Sequence, residues 1–217
     1  MIKKSWSKLG KSVAVISLSC AAALSLQGCV EMVVGSAVIG TFAATDRRTF
    51  GAQTDDKGIV IKGESRLSGI MGKYSHVDVN SFNRRVLLTG EVADDNAKAA
   101  AEREMRAIDG VVSVANELII GPVSNYTSRS NDALITTKVK ATFVDAKDVS
   151  ATAFKVVTEA GVVYLMGRVT QGEGARAADL AASINGVRKV VKVFEYISEE
   201  ELKTFQTTPN KNPPSDN

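Results

Sequence analysis

Histidine and cysteine are almost absent from this chain of 217 residues, which contains one histidine and two cysteines. Zinc sites and nucleophile–base catalytic groups nearly always use at least one well-placed imidazole, so the single His76 leaves little room for either. Two cysteines are also too few for a small secreted domain that is stabilised by several disulfides. These absences predict a protein that is not an enzyme and that needs no cofactor or bound metal.

An excess of charge of one sign is also missing, because 27 basic residues face 24 acidic ones. Hydrophobic residues make up 44% of the chain, which is too many for a disordered protein and ordinary for a globular one of one or two domains. Groups of neighbouring basic residues are few and are not interleaved with aromatic residues, so a nucleic-acid partner is excluded. Overall composition and charge therefore indicate no particular function, and only local sequence motifs can.

The amino terminus has the pattern of an export signal. Four lysines and no acidic residue come first, at Lys3, Lys4, Lys8 and Lys11. An uncharged, mostly apolar run of 14 residues follows, and it is shorter than the roughly 20 residues that a spanning helix needs. The run ends in Leu26-Gln27-Gly28-Cys29, which resembles the bacterial lipobox, whose cysteine thiol accepts diacylglycerol before cleavage. We predict a signal peptide over 1–28, a lipid attached to Cys29 and a tether over 29–45.

Cleavage before Cys29 would change the charge of the protein. The four lysines would be removed and no acid with them, which leaves 189 residues with 23 basic and 24 acidic side chains. Cys29 would be the only remaining cysteine, so no internal disulfide is possible. By resemblance to bacterial sorting rules, Val30 in place of Asp after the cysteine implies the outer membrane, with the protein facing the periplasm. Any attraction to an anionic surface must then be local.

Between its two ends the chain contains an internal repeat. Residues 77–92 align with 154–169 at an offset of 77, and residues 107–120 align with 183–197 at an offset of 76 over most of their length. In each copy, apolar and polar residues alternate on both sides of a short turn, which predicts a β-hairpin. A helical stretch, a glycine suited to a left-handed helix end and a final strand follow each hairpin. The final strands are expected at Val112–Ile120 and Val187–Ile197.

A further helix is predicted before the second hairpin. Asn131 and Asp132 are placed to cap a helix over 133–144. Apolar residues at the spacing i, i+4 and i+8 would form its buried stripe, namely Ile135, Val139 and Phe143.

The equivalent helix of the first copy, about 55–71, is less secure. It contains or borders four glycines, each of which costs about 1 kcal/mol relative to alanine in a helix. Its acidic pair Asp55-Asp56 is expected to cap the start of the helix. Each copy is thus predicted as α-β-β-α-β, an α+β fold with a small mixed sheet and two helices on one face.

The two copies carry a recognisable sequence pattern. An Asn-Gly or Asp-Gly pair is followed by V-x-x-V or a close variant, and V-x-L-x-G precedes it. This pattern resembles the BON domain, a bacterial module found in osmotic-stress and envelope proteins. With the lipobox, the run 130–140, SNDALITTKVK, is closer still to the outer-membrane lipoproteins that have two BON domains. The resemblance implies tandem BON domains over 46–123 and 124–200. The end of the chain, over 201–217, contains three of the four prolines and is predicted to be a disordered tail.

The resemblance also implies a function. Proteins of this kind bind anionic phospholipid, chiefly phosphatidylglycerol, through the first helix of the second BON domain, are recruited to the division site and help to maintain envelope integrity. On that helix, the side opposite the buried stripe would carry the phospholipid-binding residues, namely Leu134, Thr137, Lys138 and Ala141, with Lys140 at the flank. Leu134 stands where the family pattern has Trp, which is the better interfacial anchor. The protein is expected to act as a monomer.

Other interpretations are open from the residues themselves. The same helix side could be an ordinary solvated face. The protein could also be an adaptor that docks on the outer-membrane protein assembly machinery without binding a specific lipid. Arg47 and Arg48 could meet the membrane surface, although such a pair is more often solvated. His76 is expected in a solvated loop.

Overall fold

The computed structural model describes residues 46–72 and 74–207. The predicted signal peptide over 1–28, the lipid attachment at Cys29 and the tether over 29–45 lie outside the described residues. The described part of the chain belongs to one compact unit, Thr45–Asn217. Within that part, no helix combines the length and the apolar character needed to cross a membrane.

Helices and strands follow the order α-β-β-α-β twice, which confirms the α+β fold class and the two repeated units. Domain 1 consists of α1 (Phe50–Ile70), β1 (His76–Phe82), β2 (Arg85–Val92), α2 (Asp95–Arg106), β3 (Ser113–Asn116) and β4 (Ile119–Ile120). Domain 2 consists of α3 (Tyr126–Asp145), β5 (Phe154–Glu159), β6 (Val162–Val169), α4 (Gln171–Ala182) and β7 (Lys189–Tyr196). A 3-10 turn, Ala151–Ala153, precedes β5, and α5 (Glu199–Thr207) follows β7.

Each domain has one mixed sheet. A hairpin pairs the first two strands antiparallel, β1 with β2 and β5 with β6. The last strand then lies parallel to the second, and β7 pairs with β6 over eight residues. In domain 1 the prediction of one continuous strand over Val112–Ile120 is wrong, because the chain breaks between β3 and β4. Leu118 lies in this break, where its side chain turns into the core of the domain and is buried.

The two helices of each domain cover one face of its sheet. In domain 2 the predicted stripe of Ile135, Val139 and Phe143 is buried against residues of the same domain. Ala101 on α2 and Ala177 on α4 have no exposed surface, so small side chains let each helix lie close to its sheet. Each domain therefore has a core of its own.

Helix α1 is longer than the sequence predicts. It begins at Phe50, behind the cap Thr49, and its glycines do not break it. Ile59 and Leu67 bury its inner side in the core of domain 1, and such packing contributes more to helix stability than propensity does. Gly63 lies on that inner side, where an added Cβ would come within 2.6 Å of the Met105 methyl carbon. A larger residue there would force Met105 to move.

Two aspartates that the sequence assigned to helix caps lie inside their helices instead. The caps are Thr49 and Asn125, one to two turns earlier than predicted. Asp132 is buried in α3 and accepts hydrogen bonds from the amides of Ala160 and Gly161 at 2.9 and 2.8 Å. These amides belong to the turn of the second hairpin, where Ala160 and Gly161 both have a positive φ. The aspartate therefore holds a turn that the backbone adopts reluctantly.

Asp56 has the same role in domain 1. It is buried in α1 and accepts hydrogen bonds from the amides of Asn83 and Arg84 at 2.8 and 2.7 Å. The hydroxyl of Ser81 also donates to it at 2.6 Å. Each domain thus ties its first helix to its hairpin turn with one buried carboxylate.

The outer faces of the two sheets pack against each other. A third apolar cluster contains Phe82 and Leu87 of domain 1 with Tyr164 and Met166 of domain 2, all of them buried. At one end of this interface, the carboxylate of Glu195 lies among cationic and amide donors. These are Asn83 at 2.7 Å, Arg168 at 3.0 Å and Arg85 at 3.4 Å. Burial alone would raise the pKa of Glu195, but these donors outweigh burial and hold that pKa below its ordinary value.

Arg47 and Arg48 pair with mostly buried carboxylates, so the expectation of a membrane-surface or solvated position for them is wrong. Arg47 donates two hydrogen bonds to the carboxylate of Glu173, at 2.8 and 2.6 Å. Burial alone would raise the pKa of Glu173, but the bonds from Arg47 and from the Thr170 amide hold that pKa below its ordinary value. Arg48 pairs with Asp56 at 2.8 Å. The segment before α1 is therefore joined to both domains.

Replacing Arg47 by alanine is expected to lower the free energy of unfolding at neutral pH by about 2 kcal/mol, since a mostly buried carboxylate loses charge-assisted hydrogen bonds. In the folded protein the pKa of Glu173 is below its ordinary value of 4.5. Its stabilising contribution is therefore present above that ordinary value and is lost as the pH falls through the lower folded value. The difference between variant and wild type should shrink in acid, which urea unfolding at neutral pH and at about pH 3 would measure.

The control for this experiment is Arg176→Ala, which removes an exposed ion pair with Asp148. We expect it to cost at most about 0.5 kcal/mol. An equal cost in both variants, or a cost of Arg47→Ala that does not change with pH, would contradict this account of Glu173.

Helix α5 occupies the start of the region that the sequence predicts as a disordered tail over 201–217. It continues to Thr207, and Glu201 accepts a hydrogen bond from Arg168 at 2.6 Å. The prediction is therefore wrong for 201–207. The prediction of disorder depended on the prolines of this segment, and all three of them follow the end of the helix. Residues 208–217 lie outside the described part of the chain.

Candidate functional site

The phospholipid-binding face that the sequence predicts lies on α3, the first helix of domain 2. Asn125 caps this helix by accepting a hydrogen bond from the Ser128 amide at 2.9 Å. Because the stripe from Ile135 to Phe143 faces the core, the opposite side of α3 is turned to solvent. We call this opposite side the outer face of α3.

The structure exposes all five predicted phospholipid-binding residues. Leu134, the apolar member at the centre, is 58% exposed. The others are also exposed, namely Thr137, Lys138, Lys140 and Ala141. Neither lysine forms an ion pair with a carboxylate within residues 46–72 and 74–207. At 100° per residue, Lys138 lies about 40° from Leu134, whereas Lys140 lies about 120° away at the edge of the face.

Two further residues on this face were not predicted. Tyr126 is 86% exposed and Val144 is also strongly exposed. Both lie about 80° from Leu134 around the helix, so with Thr137 and Ala141 they form one stripe along α3. The sequence pattern predicts that the helix begins at 133, so Tyr126 lies outside the predicted helix. The available signal was Asn125, a good capping residue directly before it.

Domain 1 has an equivalent helix face with a different composition. When Asp56 and Asp132 are aligned, Phe50, Gly58 and Lys62 of α1 take the positions of Tyr126, Leu134 and Lys138. Phe50 and Lys62 are exposed. The difference lies at the centre, where α1 has a glycine in place of the leucine. The charges also differ, because α1 has three basic and three acidic residues while α3 has three basic and two acidic ones.

The two α-β-β-α-β units, each with a helix tied to its hairpin turn by a buried aspartate, define a tandem-domain α+β protein. The family model described as the BON domain matches residues 58–122 and 131–198. The chain therefore belongs to the BON domain family, as the sequence resemblance implied.

Three relatives show how far the similarity extends. The chain is 40% identical over 179 residues to "Outer membrane lipoprotein DolP" of Haemophilus influenzae, which covers 81% of this chain and 92% of that protein. It is 31% identical to "21 kDa hemolysin" of Actinobacillus pleuropneumoniae, over 70% of this chain and 79% of the relative. It is 29% identical to "Osmotically-inducible protein Y" of Escherichia coli, over 54% of this chain and 60% of the relative.

Proposed function

We propose that this protein is an outer-membrane lipoprotein that binds anionic phospholipid of the phosphatidylglycerol type through the outer face of α3. The observation that carries the proposal is the exposed outer face of α3, where the apolar side chains Tyr126, Leu134 and Val144 lie with Lys138. Within the described part of the chain, the ammonium of Lys138 forms no ion pair. The similarity to an outer membrane lipoprotein over most of both chains supports the location. In this role the protein would help to maintain the integrity of the cell envelope, at the division site in particular.

The chemistry of the outer face suits a lipid headgroup interface. The transfer of leucine and valine side chains from water into the acyl boundary is favourable. A tyrosine places its ring in the same layer and keeps its hydroxyl in water. Each lysine near an anionic surface contributes about 1 kcal/mol. Tyr126 can therefore supply the amphipathic aromatic anchor that Leu134 does not.

A lipid on Cys29 would make a weak contact sufficient. An anchored protein is already at the membrane, so the outer face would meet headgroups at a high effective concentration. A contact of a few kcal/mol can then select membrane regions by their lipid composition. Such selection is how we expect the protein to accumulate at particular sites of the envelope.

The experiment measures binding of the fragment from Asp46 to Asn217, which contains the compact unit, to vesicles. Vesicles of phosphatidylglycerol with phosphatidylcholine are compared with phosphatidylcholine alone. Lys138→Glu replaces one attraction by one repulsion, so it should weaken binding by about 2 kcal/mol, or roughly 30-fold. Leu134→Glu should weaken it at least as much, because it also removes the inserting side chain. Wild-type binding should fall as salt is raised.

The matched control is Lys62→Glu, which makes the same charge change at the repeat-related position of α1. It should leave binding nearly unchanged. Equal losses in Lys62→Glu and Lys138→Glu would show that attraction is spread over both domains and would overturn the assignment to α3. If wild type does not distinguish the two kinds of vesicle, the lipid proposal is wrong, and an adaptor for outer-membrane protein assembly becomes the function to test.

A further inference from the structure

Three ionisable side chains converge at the end of the domain interface opposite Glu195. His76 begins β1, Glu91 is its direct partner on β2, and Glu159 ends β5 of domain 2. One ligand atom from each lies within 4.8 Å of the others, and His76 Nδ1 is 3.6 Å from a Glu91 carboxylate oxygen. The prediction of a solvated loop for His76 is wrong, because this residue belongs to the sheet and its side chain is 22% exposed.

The three side chains bring buried polar atoms that lack hydrogen-bond partners close to one another. Glu91 and Glu159 are only 6% and 5% exposed. Within the described part of the chain, His76 Nδ1 and one carboxylate oxygen of each glutamate have no hydrogen-bond partner. A buried polar atom without a partner costs about 1–3 kcal/mol, and more if it is charged. The surrounding structure therefore leaves a polar site incomplete.

The electrostatics of the site call for positive charge. Burial is the main reason that the pKa of Glu159 is raised to about 7, and the charges of Glu91, Asp78 and Asp132 add to the effect. Arg129 opposes it only weakly. A cation between the two glutamates would remove their repulsion and occupy the carboxylate oxygens that accept no hydrogen bond within the described residues.

We propose that His76, Glu91 and Glu159 bind one divalent transition-metal ion of the zinc class at the junction of the two BON domains. An imidazole nitrogen with two carboxylate oxygens is a ligand set that such ions accept. Bonds of 2.0–2.2 Å in a tetrahedral site place ligand atoms about 3.3–3.6 Å apart. The separation of 3.6 Å between His76 and Glu91 is close to that spacing, so only Glu159 needs to approach.

The surroundings provide access and orientation. A cavity of about 320 Å³ opens beside His76 and Glu159, between β1 of domain 1 and α3 of domain 2. It has room for a water molecule as the fourth ligand and for entry of the ion. The other nitrogen of His76, Nε2, faces the carboxylate of Asp78 at 3.7 Å. A carboxylate behind a metal-bound histidine is the usual means of fixing its orientation.

The position of the ligands suggests what the ion would do. Two come from domain 1 and one from domain 2, so an ion bound by all three would hold the domains together at this end of the interface. The carboxylate of Glu195 with its arginines does so at the other end. The metal would thus stabilise the relative placement of the two domains.

The test uses the untagged fragment from Asp46 to Asn217, which contains one histidine and no cysteine. Calorimetric titration with ZnCl₂ alone is expected to show one saturable site per chain, and the melting temperature should rise with zinc. The imidazole signals of His76, which no other histidine can obscure, should shift in NMR spectra. His76→Gln, Glu91→Gln and Glu159→Gln should each weaken zinc binding by more than the roughly 10–100-fold typical of losing a supporting residue.

The variants also report on folding without metal. Glu159→Gln removes like charge and adds a donor that can reach Glu91, so its melting temperature without zinc should equal or exceed that of wild type. Asp179→Asn, an exposed acid on α4, is the control and should bind zinc as wild type does. The proposal is overturned if zinc does not saturate one site, if the His76 signals do not move, or if binding persists in all three ligand variants.

Discussion

Replacing Asp56 by alanine is expected to lower the free energy of unfolding by about 3–5 kcal/mol, the range found when one member of a buried ion pair is removed. The carboxylate accepts hydrogen bonds from Ser81 and from the amides of Asn83 and Arg84, and it pairs with Arg48. Alanine leaves the Ser81 hydroxyl and the amides of Asn83 and Arg84 without this acceptor. The turn also loses its support while two of its residues, Asn83 and Arg84, keep a positive φ.

Asp132→Ala should cost less, about 2–3 kcal/mol, because it leaves two amides without an acceptor and no ion pair. Asp55→Ala is the control, since it makes the same substitution at the exposed neighbouring position and should change stability by at most about 0.5 kcal/mol. Urea unfolding followed by circular dichroism measures all three. A cost for Asp56→Ala no larger than that for Asp55→Ala would mean that α1 does not hold the turn.

Local periodicity is what made the fold predictable. Ile135, Val139 and Phe143 repeat at helical spacing, and the structure buries all three. The hairpins follow from alternation around short turns, and the internal repeat allowed the clear second copy to support the weaker first one. Helix starts were less predictable, because an aspartate such as Asp132 satisfies a turn 28 residues away as readily as it caps its own helix.

The outer face of α3 was predictable for a similar reason, since a known buried stripe fixes which side is exposed. Tyr126 was missed because the start of the helix was placed too late. The ion pair of Arg47 with Glu173 could not be found from the sequence, because 126 residues separate the two and only the packing of the domains brings them together.

One signal for the domain interface was present in the sequence. Both central strands, RVLLTGEV and VVYLMGRV, carry consecutive apolar residues where a half-exposed strand would alternate. Such runs are typical of strands that are covered on both faces. They indicate that something packs on the outer sheet face, but they do not say that the partner is the sheet of the other domain, nor that His76 meets Glu159 there.

Leu87→Asp is expected to separate the two domains without unfolding either. Leu87 has no exposed surface and contacts the cluster of Phe82, Tyr164 and Met166 between the sheets. A carboxylate kept there would cost several kcal/mol and has no partner to offset it. Opening the interface rehydrates the charge at lower cost, because the core of each domain lies on the opposite face of its sheet.

Small-angle scattering should therefore show a larger radius of gyration for Leu87→Asp, with nearly unchanged far-ultraviolet circular dichroism. Unfolding should change from one transition to two. Ile61→Asp introduces the same charge at an exposed apolar position of α1 and should leave both measurements as in wild type. Loss of helical signal in Leu87→Asp would instead mean that the domains cannot fold separately.

The same variant should lose zinc binding although all three proposed ligands are intact, because only the docked sheets bring Glu159 of domain 2 to His76 and Glu91 of domain 1.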